Sequence, residues 1–259
     1  MSTSSIHETA VVSKDADLDP SVVVGPYAVV EGDVQIGAGT VLGPHAVVRR
    51  FSRIGKNNVI DPGAVVGGLP QHTGYDGAET WVLVGDGNII REGATINRAY
   101  TPGAATRVGS NCFLMTGTHV GHDCQIGDNV VMTTGVILAG HVEVGRNTVF
   151  GGYAGAHQFI RIGAYCMVAG YAALRKDVLP FTMIGGEPLR HFKLNTVGLR
   201  RAGMEKDRYR ALETAFRALR DGDKELTSLP DTEEIVELRD WLSAKSKYGC
   251  YGFARSGRK

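Results

Sequence analysis

The stretch Thr118–Gly127, THVGHDCQIG, carries two histidines three residues apart, His119 and His122, with Asp123 directly after the second. His141 and His157 follow, so that four of the eight histidines fall within 39 residues. A neutral imidazole takes a proton from a hydroxyl near physiological pH, an effect of typically ~10²–10⁴-fold on rate. A neighbouring carboxylate fixes its tautomer and supports the imidazolium that forms. The residue types therefore point to His122 as a general base, with Asp123 and His119 as its setting. No serine or cysteine stands beside these histidines as a covalent nucleophile, which favours direct attack by an acceptor over a ping-pong route.

The elements that must position these groups are visible as a repeat. An aliphatic residue recurs at every sixth position: Ile6, Val12, Leu18, Val24, Val30, Ile36, Leu42, Val48, Ile54, Ile60 and Val66. The series resumes at Val84, Ile90 and Ile96, runs from Val108 through Leu114, Val120, Ile126, Met132, Leu138 and Val144, and closes with Ile162, Val168 and Leu174. A period of six suits neither a helix nor a hairpin sheet. It suits short strands separated by bends, because the fifth residue of one hexad and the first of the next share a face. The fifth position is usually small: Ala28, Thr40, Ala46, Ala64, Cys112, Cys124 and Val136. The pattern resembles the hexapeptide repeat of the left-handed parallel β-helix, in which three hexads make one triangular coil of 18 residues. An all-β coil over residues 1–185 is expected, followed by a small α-helical domain over 186–259.

An 18-residue coil lets the site be placed. Gly140 falls one coil above His122 and Gln158 two coils above; His141 falls above Asp123, and His157 lies beside Gln158. His122, His141, His157 and Gln158 are thus expected on one edge of the prism. Gly140 has no side chain to block its backbone N–H, which is expected to serve as an oxyanion donor.

Two stretches, Gly68–Trp81 and Ala99–Thr106, break the hexads with Gly, Pro, Thr and Asp and are expected to leave the coil as external loops. Past Pro180, Tyr209, Leu212, Phe216 and Leu219 have helical spacing, ended by DGDK at 221–224. A second helix is expected with Asp231 as N-cap and Glu234 three residues on. Residues 181–220 hold nine Lys/Arg against four Asp/Glu, although the whole chain of 259 residues has a formal charge of only +1. That balance gives no global reason to expect nucleic-acid binding, and the local excess suits either a solvated helix face or an acidic partner. Thirty-five glycines with 43% hydrophobic residues fit a turn-rich, folded chain. With no 18-residue apolar run and no signal peptide, no membrane span is expected. Four cysteines without paired C-x-x-C spacing fit a reduced, cytoplasmic protein; Cys112, Cys124 and Cys166 fall at inward positions and are expected as packing residues.

The segments THVGHDCQIG, LAGHVEVG (138–145), GAHQFIRIG (155–163) and NTVGLRRAG (195–203), in that order, resemble the UDP-N-acetylglucosamine acyltransferases of lipid A biosynthesis. The resemblance implies a homotrimer with sites between subunits and a donor that is a phosphopantetheine thioester of acyl carrier protein, with no other cofactor and no metal. It implies His122 as base with Asp123 beside it, the Gly140 amide as oxyanion hole, and His119, His141, His157 and Gln158 as site residues. It further implies Asn195 and Arg201 on the nucleotide and Gly170 at the floor of an acyl groove. The family's loop N-Q-D-L-K-Y stands here as P-Q-H-T-G-Y at 70–75: Gln71 and Tyr75 match, while His72 and Gly74 replace the acid and lysine. Val197 and Ala202 replace a glutamate and an arginine in the tail. The catalytic and acyl sides are therefore expected intact, and the acceptor is plain UDP-N-acetylglucosamine or a variant such as a 3-amino sugar.

Three rival readings are distinguishable. A γ-type carbonic anhydrase needs three histidines converging on zinc with an open water position, and His119 and His122 could serve. It leaves the Arg-rich tail and the HQF segment unexplained. A sister enzyme that N-acylates an already acylated glucosamine would carry an extra N-terminal domain. A non-catalytic scaffold leaves the clustered histidines without a purpose.

Overall fold

The computed structural model describes residues 5–223 and 225–254. Short parallel strands, mostly of two or three residues, repeat through the first two thirds of the chain and stack into three sheets, to which they give nine, nine and eight strands. Val23 pairs with Val41, Val29 with Val47 and Asp17 with Gln35, each eighteen residues apart. Successive strands enter successive sheets, which is a left-handed parallel β-helix of triangular section, followed by a small helical end. The hexad aliphatics point inward and form one continuous core from Val22 to Ile184, with Phe150 and Ala156 filling the two positions between Val144 and Ile162. Cys112, Cys124 and Cys166 lie in that core, where burial pushes the thiols of Cys124 and Cys166 up to about 12.

Two of the polar inward positions carry amides, which are satisfied along the coil axis. Asn58 Oδ1 accepts from the Asn88 backbone N–H at 2.9 Å and from its Nδ2 at 3.0 Å. Asn88 Oδ1 accepts in turn from the Cys112 N–H at 2.7 Å. Buried amides are tolerated when each bond is met in this way.

Each of the three corner columns places residues in the left-handed region. Between the third and first sheets the column runs Gly39, Asn57, Gly87, Asn111, Asn129 and Asn147 before Tyr165 and Phe181. Between the first and second it has four central glycines, Gly63, Gly93, Gly117 and Gly135, flanked by Tyr27 and His45 below and Tyr153 and Tyr171 above. Glycine and asparagine adopt this conformation at least cost. The corner between the second and third sheets differs: Asp33, Phe51, Asp123, His141 and Phe159 hold φ between 55° and 66° there.

Both expected loops are insertions at that corner. Val59 pairs with Ile89, thirty residues on rather than eighteen, so the coil gains a twelve-residue excursion between the strands Val65–Gly68 and Trp81–Val84. Thr95 pairs with His119, a surplus of six that leaves the coil after Asn97. The second loop is shorter than expected, because Ala105–Val108 is already a strand paired with Trp81–Val84.

After Pro180 the chain adds a last parallel strand, Thr182–Gly185, then turns back as an antiparallel strand, Arg190–Leu194. Three helices follow: α1 (Thr196–Arg201), α2 (Lys206–Asp221) and α3 (Glu233–Ser243). The apolar stripe of α2 buries Leu212, Ala215 and Leu219, and Gly222 caps it with φ 104°; Lys224 of the expected stop lies outside the described residues. The N-cap of α3 is Thr232, whose hydroxyl accepts from the Ile235 N–H, rather than Asp231, which pairs with Arg239. Glu234, buried in the first turn, receives Arg208 of α2 and latches the two helices. Among the described residues no helix is long and apolar enough to cross a membrane.

His191 in the antiparallel strand is fully buried, and its Nε2 accepts from the Leu179 N–H at 3.0 Å. Burial lowers it to about 4, outweighing the nearby Gly252 and Tyr251 backbone. The unfolded chain therefore binds the proton first. Stability from this group is complete above pH ~6.5 and is lost as pH falls toward 4, by about 3 kcal/mol in all. Urea melts of the wild type and His191→Gln across pH 4–7 should diverge over that window; parallel curves would refute the assignment.

Candidate active site

His122 and Asp123 follow the strand His119–Val120 at the second-to-third corner, where Asp123 turns the chain with φ 60°. His122 is 5% exposed, and its Nδ1 lies 2.8 Å from Asp123 Oδ2. The carboxylate also accepts the Tyr100 N–H at 2.7 Å and the Thr101 N–H at 3.3 Å. Burial alone would raise the Asp123 carboxyl, but those amides, His122 and nearby His141 outweigh it and hold it below its ordinary value. An ionised Asp123 requires the proton on Nδ1, which leaves the Nε2 lone pair of His122 facing outward as a base.

Gly140 sits against that ring as the coil register predicts. A Cβ built on Gly140 would lie 2.5 Å from both Cε1 and Nε2 of His122, so only glycine fits. Among the described residues the Gly140 N–H donates to no acceptor, whereas the next amide, His141 N–H, donates to His122 O at 2.9 Å. A base nitrogen and an unpaired amide thus adjoin the same small volume.

The corner column continues upward. The His141 ring stands edge-on to His122 at 5.2 Å, and its Nε2 is 3.8 Å from Asp123 Oδ2. Burial lowers the His141 imidazole, with Asp123 opposing and His122, Lys247 and His72 adding to the effect. Phe159 stacks on His141 at 4.5 Å, and Lys247 Nζ lies 3.3 Å above Phe159. His157 and Gln158 are exposed on the same edge, with the His157 ring 5.6 Å from Tyr248. His119 lies on the outer face of the second sheet, with Nδ1 2.7 Å from Thr95 Oγ1; burial and the His122 charge lower it.

Below His122 the first insertion closes in. Gln71 and His72 are exposed, and the His72 ring is 5.6 Å from His122 and stacks on Tyr100 at 3.8 Å. Tyr100 was not legible as a site residue, because a lone aromatic in a six-residue excursion carries no periodic signal.

Gly170 borders a groove with Tyr171, Arg175 and Tyr251; an adjoining groove of about 390 Å³ carries Ile137, Tyr153, Tyr171 and His157. Asn195 and Arg201 are not brought to His122 within one chain. Asn195 caps α1, accepting from the Gly198 N–H at 3.1 Å, and its Nδ2 donates to Tyr165 O at the third-to-first corner; Arg201 is exposed beyond it.

The ligand atoms of His122, Asp123 and His141 lie within 4.8 Å of one another, close enough for a metal. The carboxylate, however, already takes two amides and the His122 ring. The cluster reads better as a dyad with a neighbour than as an open ligand set.

Comparison with known proteins identifies the family. Residues 177–250 match the family described as UDP-N-acetylglucosamine O-acyltransferase, domain 2, and residues 15–50 and 105–140 match the bacterial transferase hexapeptide repeat. The acyl-[acyl-carrier-protein]–UDP-N-acetylglucosamine O-acyltransferase of Paracidovorax citrulli is 53% identical over 218 residues, 83% of each chain. That of Anaeromyxobacter dehalogenans is 41% identical over 243 residues, covering 89% of this chain and 95% of the relative. The solved UDP-N-acetylglucosamine O-acyltransferase of Moraxella catarrhalis superposes with a TM-score of 0.89 at 37% identity, covering 95% and 99% of the two chains. With relatives this similar over nearly its whole length, the chain belongs to the UDP-N-acetylglucosamine O-acyltransferase family.

Proposed function

We propose that this chain transfers a 3-hydroxyacyl group from an acyl carrier protein thioester to the 3-position of UDP-N-acetylglucosamine, the step that opens lipid A biosynthesis. The observation that carries the mechanism is the Asp123–His122 pair beneath the unpaired Gly140 amide. His122 Nε2 takes the proton of the sugar hydroxyl as its oxygen attacks the thioester carbonyl. The oxyanion that forms is received by the Gly140 N–H. Collapse breaks the carbon–sulfur bond, and the imidazolium returns its proton to the departing thiolate of phosphopantetheine. No metal or further cofactor is needed for any of these transfers. His119, His141, His157 and Gln158 line the path of the substrates, Gly170 the acyl groove, and Gln71 and His72 the sugar.

We infer a homotrimer with sites between copies, acting in the cytoplasm. The outer face of the first sheet is apolar through Val23, Val41, Val59, Ile89, Phe113, Val131, Val149 and Met167, whereas the third shows Asp17, Gln35, Arg53, Arg107, Gln125 and Glu143. An apolar sheet face of that length asks for cover. A second copy laid along it can also supply Asn195 and Arg201 to the nucleotide at a neighbour's His122. Exposed Arg190, Lys193, Arg200, Arg201 and Lys206 suit the acidic carrier protein, whereas Arg208 is committed to Glu234.

Purified protein given 3-hydroxyacyl carrier protein and UDP-N-acetylglucosamine should release free carrier thiol and an ester product in equal amounts. A parallel arm offers the 3-amino nucleotide sugar, in view of His72 and Gly74. Amide product alone would move the assignment to that acceptor, and no product from either would sink it. Light scattering should report three times the 27.7 kDa chain mass.

A further inference from the structure

Arg98 is 4% exposed, yet its guanidinium has no carboxylate partner among the described residues. Burial pushes it below its ordinary value; Tyr75 and Glu31 work in the opposite direction, and Arg49 and Arg50 reinforce the fall. An unpaired buried cation is costly and is retained where its donors have work to do.

Its donors reach three segments. Nη2 donates to Tyr75 Oη at 3.1 Å, Nη1 reaches Arg50 O at 3.4 Å, and the Arg98 backbone N–H donates to Gly68 O at 2.8 Å. The guanidinium also lies 5.1 Å from the Phe51 ring. Tyr75 Oη itself donates to Ala78 O at 2.7 Å, and the Tyr75 N–H donates to His72 O at 3.1 Å. The turn that carries His72 is thereby tied to Arg98. Two residues after Arg98, Tyr100 lays its ring on His72 and gives its amide to Asp123.

We propose that Arg98 is a positioning residue that fixes the first insertion against the catalytic pair and so sets the affinity for the acceptor sugar. This rests on the acyl-transfer reading above. His122 has Gly140 and His141 on one side, where the donor carbonyl must lie to use the Gly140 amide. His72 and Tyr100 stand on the other, which leaves that side to the acceptor. The Asp123–His122 pair is held by the backbone amides of Tyr100 and Thr101, not by Tyr75. Loosening Tyr75 therefore frees the acceptor wall and leaves the base in place.

Tyr75→Phe removes only the hydroxyl. The KM for the nucleotide sugar should rise about tenfold, the size expected for a lost bond to a charged donor. The KM for acyl carrier protein thioester and kcat should stay within about twofold, and the protein should remain folded at the assay temperature. Arg98→Lys, which keeps the charge and loses the fork, should give the same KM rise. The double variant should raise the KM by less than the product of the two single effects, since both changes break the Arg98–Tyr75 bond. An unchanged acceptor KM in Tyr75→Phe overturns the proposal, as does an equal rise for both substrates. A wild type inactive on either nucleotide sugar would instead refute the acyl-transfer reading itself.

Discussion

His122→Ala is expected to lower acyl transfer by roughly 10²–10⁴-fold while the protein remains folded. The loss follows from the role of one nitrogen. With Asp123 holding Nδ1, Nε2 is the group proposed to take the acceptor proton, and the neighbouring imidazoles of His72 and His141 have no such carboxylate hydrogen bond among the described residues. His141 is 5.2 Å away and edge-on, and burial disfavours its charged form. The fold should survive because Asp123 keeps the Tyr100 and Thr101 amides when the ring is removed. Activity within tenfold of wild type, with an unchanged unfolding midpoint, would show that the base lies elsewhere.

Gly140→Ala should cost about 10²-fold or more, from a single methyl group outside the reacting set. That methyl would stand 2.5 Å from Cε1 and Nε2 of His122, closer than any real carbon contact. The ring must swing away, and it cannot do so without opening the 2.8 Å bond to Asp123. Displacing a reacting group by about 1 Å is enough for a loss of this size. The alanine keeps its own N–H, so the effect tests the packing of the base against the amide rather than loss of the amide. Steady-state kcat is the measurement, with the unfolding midpoint as control; near-normal turnover would mean that the two groups do not share the reacting volume.

How much of this could be read from residues follows from the lattice. A six-residue apolar period fixes the strands, the inward set and the eighteen-residue stacking, and stacking alone places Gly140 over His122 and His141 over Asp123. The two insertions are legible through their Gly, Pro, Thr and Asp content alone, since excursions of twelve and six residues leave the hexads in phase on either side. Where the chain leaves the lattice, addition no longer predicts a neighbour. His72 against His122, Tyr100 beneath His72 and Arg98 on Tyr75 are three-dimensional facts without a period. Asn58 and Asn88 escaped for a related reason: a polarity-based reading does not look for amides in a core, although each is satisfied by the coil above. The strand Arg190–Leu194 and the six-residue α1 depend on the preceding strand and on the Asn195 cap rather than on any pattern of their own.

The three corner columns carry a trade between robustness and catalysis. Two relax into glycine or asparagine over much of their length, whereas the second-to-third corner holds Asp, His and Phe in a conformation that costs side-chain-bearing residues on the order of 1–2 kcal/mol each. The edge proposed to be catalytic is thus a seam whose left-handed positions keep side chains other than asparagine. Selection for thermal endurance alone would drive Asp123, His141 and Phe159 toward glycine or asparagine, and would erase the enzyme as it hardened the scaffold.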